Sequence, residues 1–155
     1  MKNLSLSLTF IVCLFTTFVS AQKITEKDLQ GNWKLTTYIS YGVSLNVETG
    51  EITIPKETET ATNPGILEQI KGNMAQFKEQ LKTSYIYITG NNIRQIMADQ
   101  VKDGPFTLKE NKGSYAIAAN FDDGTSKNIP ISINSKGQLH VKDNRNQQEF
   151  IYSRE

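Results

Sequence analysis

An all-β fold is what this sequence predicts: an antiparallel up-and-down barrel of about eight strands, with one amphipathic helix inserted after the first strands. Three observations lead there. Turn-forming clusters recur along the chain, and the runs between them have the length and the β-branched and aromatic content of strands. One long segment, residues 63–83, departs from this rhythm with helical spacing.

The chain has 155 residues, and residues 1–21 read as a secretory signal peptide. Lys2 supplies its charge, Leu8 to Phe18 its apolar stretch, and Val19-Ser20-Ala21 the small residues of a cleavage site. That stretch is too short to span a bilayer, which takes ~20 apolar residues, and nothing later approaches that length. Residues 22–155 are then expected to form one domain, large enough to bury a core without a staple. Cys13 is the sole cysteine and falls in the leader, so the processed chain is expected to carry no disulfide and no thiolate metal site. Lys and Arg number 17 against 16 Asp and Glu, and loss of Lys2 brings the two into balance. A neutral domain has no electrostatic reason to seek nucleic acid or an anionic membrane.

The turn signals are Thr49-Gly50, Thr89-Gly90-Asn91-Asn92, Asp103-Gly104-Pro105, Asn111-Lys112-Gly113, Asp122-Asp123-Gly124, Ser135-Lys136-Gly137 and Asn144-Arg145-Asn146. Gly, Asn and Asp tolerate the positive φ of tight hairpins. Between them the predicted strands are residues 33–41, 43–47, 51–54, 85–89, 93–98, 106–109, 115–121, 128–133, 139–142 and 149–153. In the helical segment Ile66, Leu67, Ile70, Met74, Phe77 and Leu81 recur at spacings of three and four, a stripe suited to plugging one end of the barrel. Asn63 suits its N-cap, Pro64 its first turn, and Lys78 and Lys82 its C-terminal end. The polar stretch Lys56 to Thr62 reads as a solvated loop.

Strand alternation assigns the inner face. In the first strand it groups Trp33, Leu35, Thr37, Ile39 and Tyr41; later it groups Tyr115, Ile117, Ala119 and Phe121, then Ile129, Ile131 and Ile133, then Phe150, Tyr152 and Arg154. Arg154 at the end of an inward row has two readings: a guanidinium laid over the Trp33 indole, or a solvated residue next to the terminus.

Catalytic material is sparse. His140 is the only histidine and alternates between Leu139 and Val141, the setting of a surface or structural residue. Asp122-Asp123-Gly124 lacks the spaced ligands of a calcium loop and reads as a hairpin turn. Asp99 and Asp103 are not brought together by anything in the sequence. No catalytic residue, metal ligand or cofactor is therefore expected. For binding, Tyr41, Tyr85, Tyr87, Met97, Phe106, Tyr115, Ile117 and Phe121 are candidates to line a ligand cavity, although a barrel of about eight strands can also be filled by its own side chains.

The run Leu29-Gln30-Gly31-Asn32-Trp33-Lys34-Leu35 resembles the first-strand G-x-W motif of the calycin superfamily, the lipocalins and fatty-acid-binding proteins. Together with a last strand ending Tyr152-Ser153-Arg154, the pattern is most similar to the bacterial secreted lipocalin-like domain. The resemblance implies that Gly31, Trp33 and Arg154 form a barrel floor, with the tryptophan packed beneath the arginine. It departs from animal lipocalins in lacking a T-D-Y-like turn motif, a disulfide and a C-terminal helix. It departs from fatty-acid-binding proteins in carrying one helix rather than two, so their carboxylate-binding residues do not transfer. The implied function is binding of a small hydrophobic or amphipathic ligand by a monomeric, secreted or periplasmic protein, with a non-enzymatic protein-binding or inhibitory module as the alternative.

Overall fold

The computed structural model describes residues 23–155, and the predicted signal peptide, with Cys13, lies outside the described residues. The elements in chain order are α1 (Glu26–Leu29), β1 (Gly31–Ser40), β2 (Val43–Asn46), β3 (Ile52–Thr53), α2 (Lys56–Ala61), α3 (Pro64–Leu81), β4 (Tyr85–Thr89), β5 (Asn92–Met97), β6 (Gln100–Asn111), β7 (Ser114–Asn120), β8 (Ser126–Ile133), β9 (Leu139–Asp143) and β10 (Gln148–Arg154).

Strands β4 to β10 pair antiparallel in chain order, and β1 closes them into a ring of eight. Its first residues pair with β4, Gly31 opposite Ile88 and Trp33 opposite Ile86. On the other side it meets β10, Trp33 opposite Arg154 and Leu35 opposite Tyr152. The second half of β1 hands its β4-side edge to β2, which continues into β3 as an extra hairpin on the wall. Helix α3 lies nearest β2. Trp33, Leu35, Ile88, Ile93, Ile117, Leu139 and Tyr152 are buried inside the ring and form one hydrophobic core with Val43, Leu45 and Val47 of the hairpin side.

Four sequence expectations are corrected. The first is the face of β1. A β-bulge falls between Leu35 and Thr37 in the pairing with β10, leaving Thr36 as the extra residue. The insertion flips the alternation, so Tyr38 and Ser40 turn inward opposite Phe150 and Gln148, and Thr37 and Ile39 take the outer face.

The second is Asp103-Gly104-Pro105, which is not a turn but the middle of β6. The chain turns instead at Ala98, which adopts φ 53°. β6 gives its first half to β5 and its second half to β7, changing partner at Pro105/Phe106. A Cβ on Gly104 would stand 2.1 Å from the Asn120 carbonyl oxygen, so a glycine is needed where the β7 backbone passes.

The third is the polar stretch after β3, which forms helix α2 rather than a loop. Pro55 caps it, and Glu57 and Glu59 in its first turn favour the positive end of the helix dipole, although it buries no side chain. The fourth is the α3 stripe. Asn63 caps this helix by accepting from Gly65 N at 2.8 Å, but only Leu67, Met74 and Leu81 are buried, with Ile70 partly so, while Ile66 and Phe77 are half exposed. Helix α1 is an element that alternation did not flag; its signal is the capping box of Thr25 and Asp28.

Candidate functional site

One end of the barrel is closed by α1, the start of β1 and the end of β10. The Asp28 carboxylate accepts from both Thr25 N (2.9 Å) and Thr25 Oγ1 (2.6 Å), which fixes the turn and holds that carboxyl below the ordinary carboxylate range. The last carbonyls of α1 then become acceptors for the barrel. Trp33 Nε1 donates to Leu29 O at 2.8 Å, and Arg154 Nη2 donates to Asp28 O at 2.7 Å. The Arg154 guanidinium lies 4.6 Å from the Trp33 ring centroid. Gly31, at φ 121°, occupies a conformation that favours glycine and sits against the Arg154 side chain. The indole is fully buried.

Toward the opposite end, where β1, β5, β7 and β9 finish, the inward side chains become polar and partly accessible. Tyr38 and Phe150 pack at 5.2 Å between ring centroids, and Gln148 Nε2 donates to the Tyr38 hydroxyl at 2.8 Å. Gln95 and Met97 follow buried Ile93 on the inward row of β5. Below them lies Tyr152, fully buried, whose hydroxyl has no hydrogen-bond partner. Gln95 is the polar side chain that influences it, without reaching bonding geometry, and burial pushes the Tyr152 phenol well above the ordinary tyrosine range. An orphaned buried hydroxyl costs about 1–3 kcal/mol. Polar residues in otherwise apolar inward rows, such as Gln95 between Ile93 and Met97, were the sequence signal for this cluster.

The predicted cavity residues divide by position. Phe106, Tyr115, Ile117 and Phe121 are buried on the inner side, and Met97 is half-buried at the end of β5. Tyr85 and Tyr87 stand on the outer wall, because Ile86 and Ile88 take the inward positions of β4. Tyr41 is in the β1–β2 turn and is 56% exposed. Two grooves of ligand size lie on the outside of the wall. One, of about 480 Å³, runs over β6, β7 and β8 beside Pro105, Thr107, Lys109, Ala118 and Lys127. The other, of about 410 Å³, lies on β4, β5 and β6 beside Tyr87, Thr89, Asn92, Arg94, Ile96 and Asp103.

His140 also faces outward, its Nδ1 2.7 Å from Glu149 Oε1 and its Nε2 3.0 Å from Asn134 Nδ2. In the β7–β8 turn, Asp123 accepts from Lys102 Nζ at 2.7 Å and from Thr125 N at 2.9 Å, and these bonds hold its carboxyl well below the ordinary range. Among the described residues, no group of three or more His, Cys, Asp or Glu is placed to hold a metal ion. No helix among them is long and apolar enough to cross a membrane.

The fold is a closed antiparallel eight-stranded β-barrel with a short helical insertion. No protein-family model and no curated protein matches the chain. Among solved structures, the chain is similar to a DUF4847 family protein from Bacteroides vulgatus, at 11% sequence identity and a TM-score of 0.46, over 80% of this chain and 92% of that one.

Proposed function

We propose that this protein is a non-enzymatic, lipocalin-like binding protein, secreted or periplasmic, that holds a small amphipathic ligand at the polar end of the barrel interior. The observation that carries the reading is the buried Tyr152 hydroxyl, which faces the interior without a partner beneath partly buried Tyr38, Gln95, Met97 and Phe150. With the partly buried side chains above it moved aside, such a hydroxyl would bond a polar head group, while Met97 and Phe150 would cover an apolar body. The Gly31-Asn32-Trp33 motif and the Arg154 contact on Trp33 support the lipocalin-like comparison. The leader-like first 21 residues support export.

The test is a titration with dansyl-undecanoic acid, followed by fluorescence, alongside native mass spectrometry of the purified protein. The expected results are a retained small-molecule mass and saturable probe binding. Loss of the hydroxyl in Tyr152→Phe should weaken probe binding roughly tenfold, the equivalent of about 1.4 kcal/mol, without lowering thermal stability. Absence of both the retained mass and the probe signal would overturn the proposal.

A further inference from the structure

The outer face of β4, β5 and β6 carries side chains that closing the barrel does not require. Register sets Tyr85 opposite Ile96 and Ile96 opposite Val101, and it sets Tyr87 opposite Arg94 and Arg94 opposite Asp103. Directly opposed residues share a face, and Ile86, Ile88 and Ile93 already fill the inner one. The outer row therefore presents aromatic and aliphatic groups to water, with Val101 55% exposed.

The two tyrosine rings stack at 5.8 Å with an interplanar angle of 18°. Tyr87, but not Tyr85, borders the groove of about 410 Å³. Tyr87 thus lines the groove while its ring stacks on its neighbour.

The opposite side of the groove is polar and pre-assembled. One oxygen of Asp103 lies 2.9 Å from Arg94 Nε as an ion pair, and the other accepts from Asn92 Nδ2. The carboxylate, the guanidinium and the amide are thus grouped on the outer wall, and the cluster carries no net charge. Arg94 brings further N–H donors, Asn92 offers its amide oxygen, and Asp103 keeps additional lone pairs.

We infer that this groove binds a neutral carbohydrate, with one pyranose face laid on Tyr87 and the sugar hydroxyls shared among Asn92, Arg94 and Asp103. The chemistry selects that class. An anion gains little from an arginine already paired with a carboxylate, and a cation gains little from a carboxylate already paired with an arginine. A wholly apolar ligand would desolvate the ion pair without replacing its contacts with water. A pyranose has an apolar C–H face for the aromatic wall and hydroxyls that both donate and accept. The site is independent of the barrel interior and of the ligand proposed there.

The experiment is saturation-transfer NMR of the full chain with methyl glycosides of glucose, galactose, mannose and N-acetylglucosamine, and with sialic acid and glucosamine as charged probes. Chemical-shift mapping of the labelled protein accompanies it. Saturation should reach the ring C–H protons of at least one neutral glycoside, with shifts centred on Tyr87 and Arg94. Tyr87→Ala should weaken binding at least tenfold, and Tyr87→Phe, which keeps the ring, should stay within threefold of the parent. Arg94→Ala, a surface change that leaves the aromatic wall intact, should also weaken binding at least fivefold. The inference is overturned if no neutral glycoside binds at millimolar concentration, if the shifts map elsewhere, if a charged probe binds more tightly than every neutral one, or if Tyr87→Ala binds as the parent does.

Discussion

Replacing Trp33 with alanine removes the fully buried indole that links α1, β1 and β10. Truncating a buried tryptophan costs about 3–5 kcal/mol in lost burial and residual cavity. The bond from Nε1 to Leu29 O adds about 1 kcal/mol. Loss of the Arg154 contact, which lies on an exposed side chain, adds about 0.5–1 kcal/mol. A domain of this size shifts its Tm by roughly 3–5 °C per kcal/mol, so Trp33→Ala should melt roughly 14–35 °C below the parent in scanning calorimetry. Arg154→Ala loses the stack and the bond to Asp28 O but leaves the indole in place, and its drop should be roughly 3–8 °C. The cycle of the two single variants and the double variant should show a coupling of about 0.5–1 kcal/mol. A Trp33→Ala drop under about 5 °C, or losses that simply add, would refute the reasoning that this end of the barrel is held through the indole.

Gly104→Ala should lower Tm by roughly 4–12 °C, because its Cβ would meet the Asn120 carbonyl and overpacking costs about 1–3 kcal/mol; an unchanged Tm would show that β7 can step aside. Gly72→Ala, exposed in α3 with nothing within 4 Å, should instead raise stability by about 0.5–1 kcal/mol, measured by urea midpoint. The raised phenol of Tyr152 makes a contribution that is complete below the ordinary value near ~10 and is lost as pH rises, since only the unfolded chain then sheds the proton. Urea midpoints of the parent should therefore fall more steeply between pH 9 and 11.5 than those of Tyr152→Phe, and parallel slopes would rule this out. Asp123 has the opposite sign: its carboxyl is lowered chiefly by Lys102 and then by Thr125, so its contribution is present above ~3.9 and fades as pH falls below that. Carboxyl-detected NMR should place its titration below the other aspartates of exposed turns, and Lys102→Ala should move it upward; no movement would remove Lys102 as the main cause.

The hairpin rhythm and the start of α3 were legible because their causes are local. Asn63-Pro64 caps a helix by its own chemistry, and the turn residues Gly90, Lys112, Gly113, Gly124 and Gly137 adopt positive φ at or beside the predicted signals, whereas Tyr41, Gly42 and Ala98 do so outside them. The errors have distant causes. Asp103-Gly104-Pro105 has the composition of a turn, but its glycine answers to the Asn120 backbone, sixteen positions further along the chain. The bulge at Thr36 leaves no mark in composition, since a threonine suits a strand on either face, yet it reverses the facing of Tyr38 and Ser40. The orphaned Tyr152 hydroxyl is visible only once β5 brings Gln95 near it.

Strand β4 explains why the candidate cavity residues were the hardest to place. Both of its rows are apolar, Tyr85 and Tyr87 on one face and Ile86 and Ile88 on the other, so alternation alone cannot say which row is inside. The isoleucines win because fully burying a tyrosine also requires a partner for its hydroxyl, whereas an isoleucine asks for nothing but contact. The tyrosines are then left on the wall of an antiparallel sheet, where a polar row would serve solubility better. Their stacking covers only one face of Tyr87. Register places the Arg94–Asp103 pair across the neighbouring strands from Tyr87, and Asn92 is tied to the same carboxylate. An aromatic wall and a charge-balanced polar cluster on adjacent strands are both dispensable for closing the ring, and the glycoside titration of Tyr87→Ala and Arg94→Ala decides whether recognition accounts for their juxtaposition.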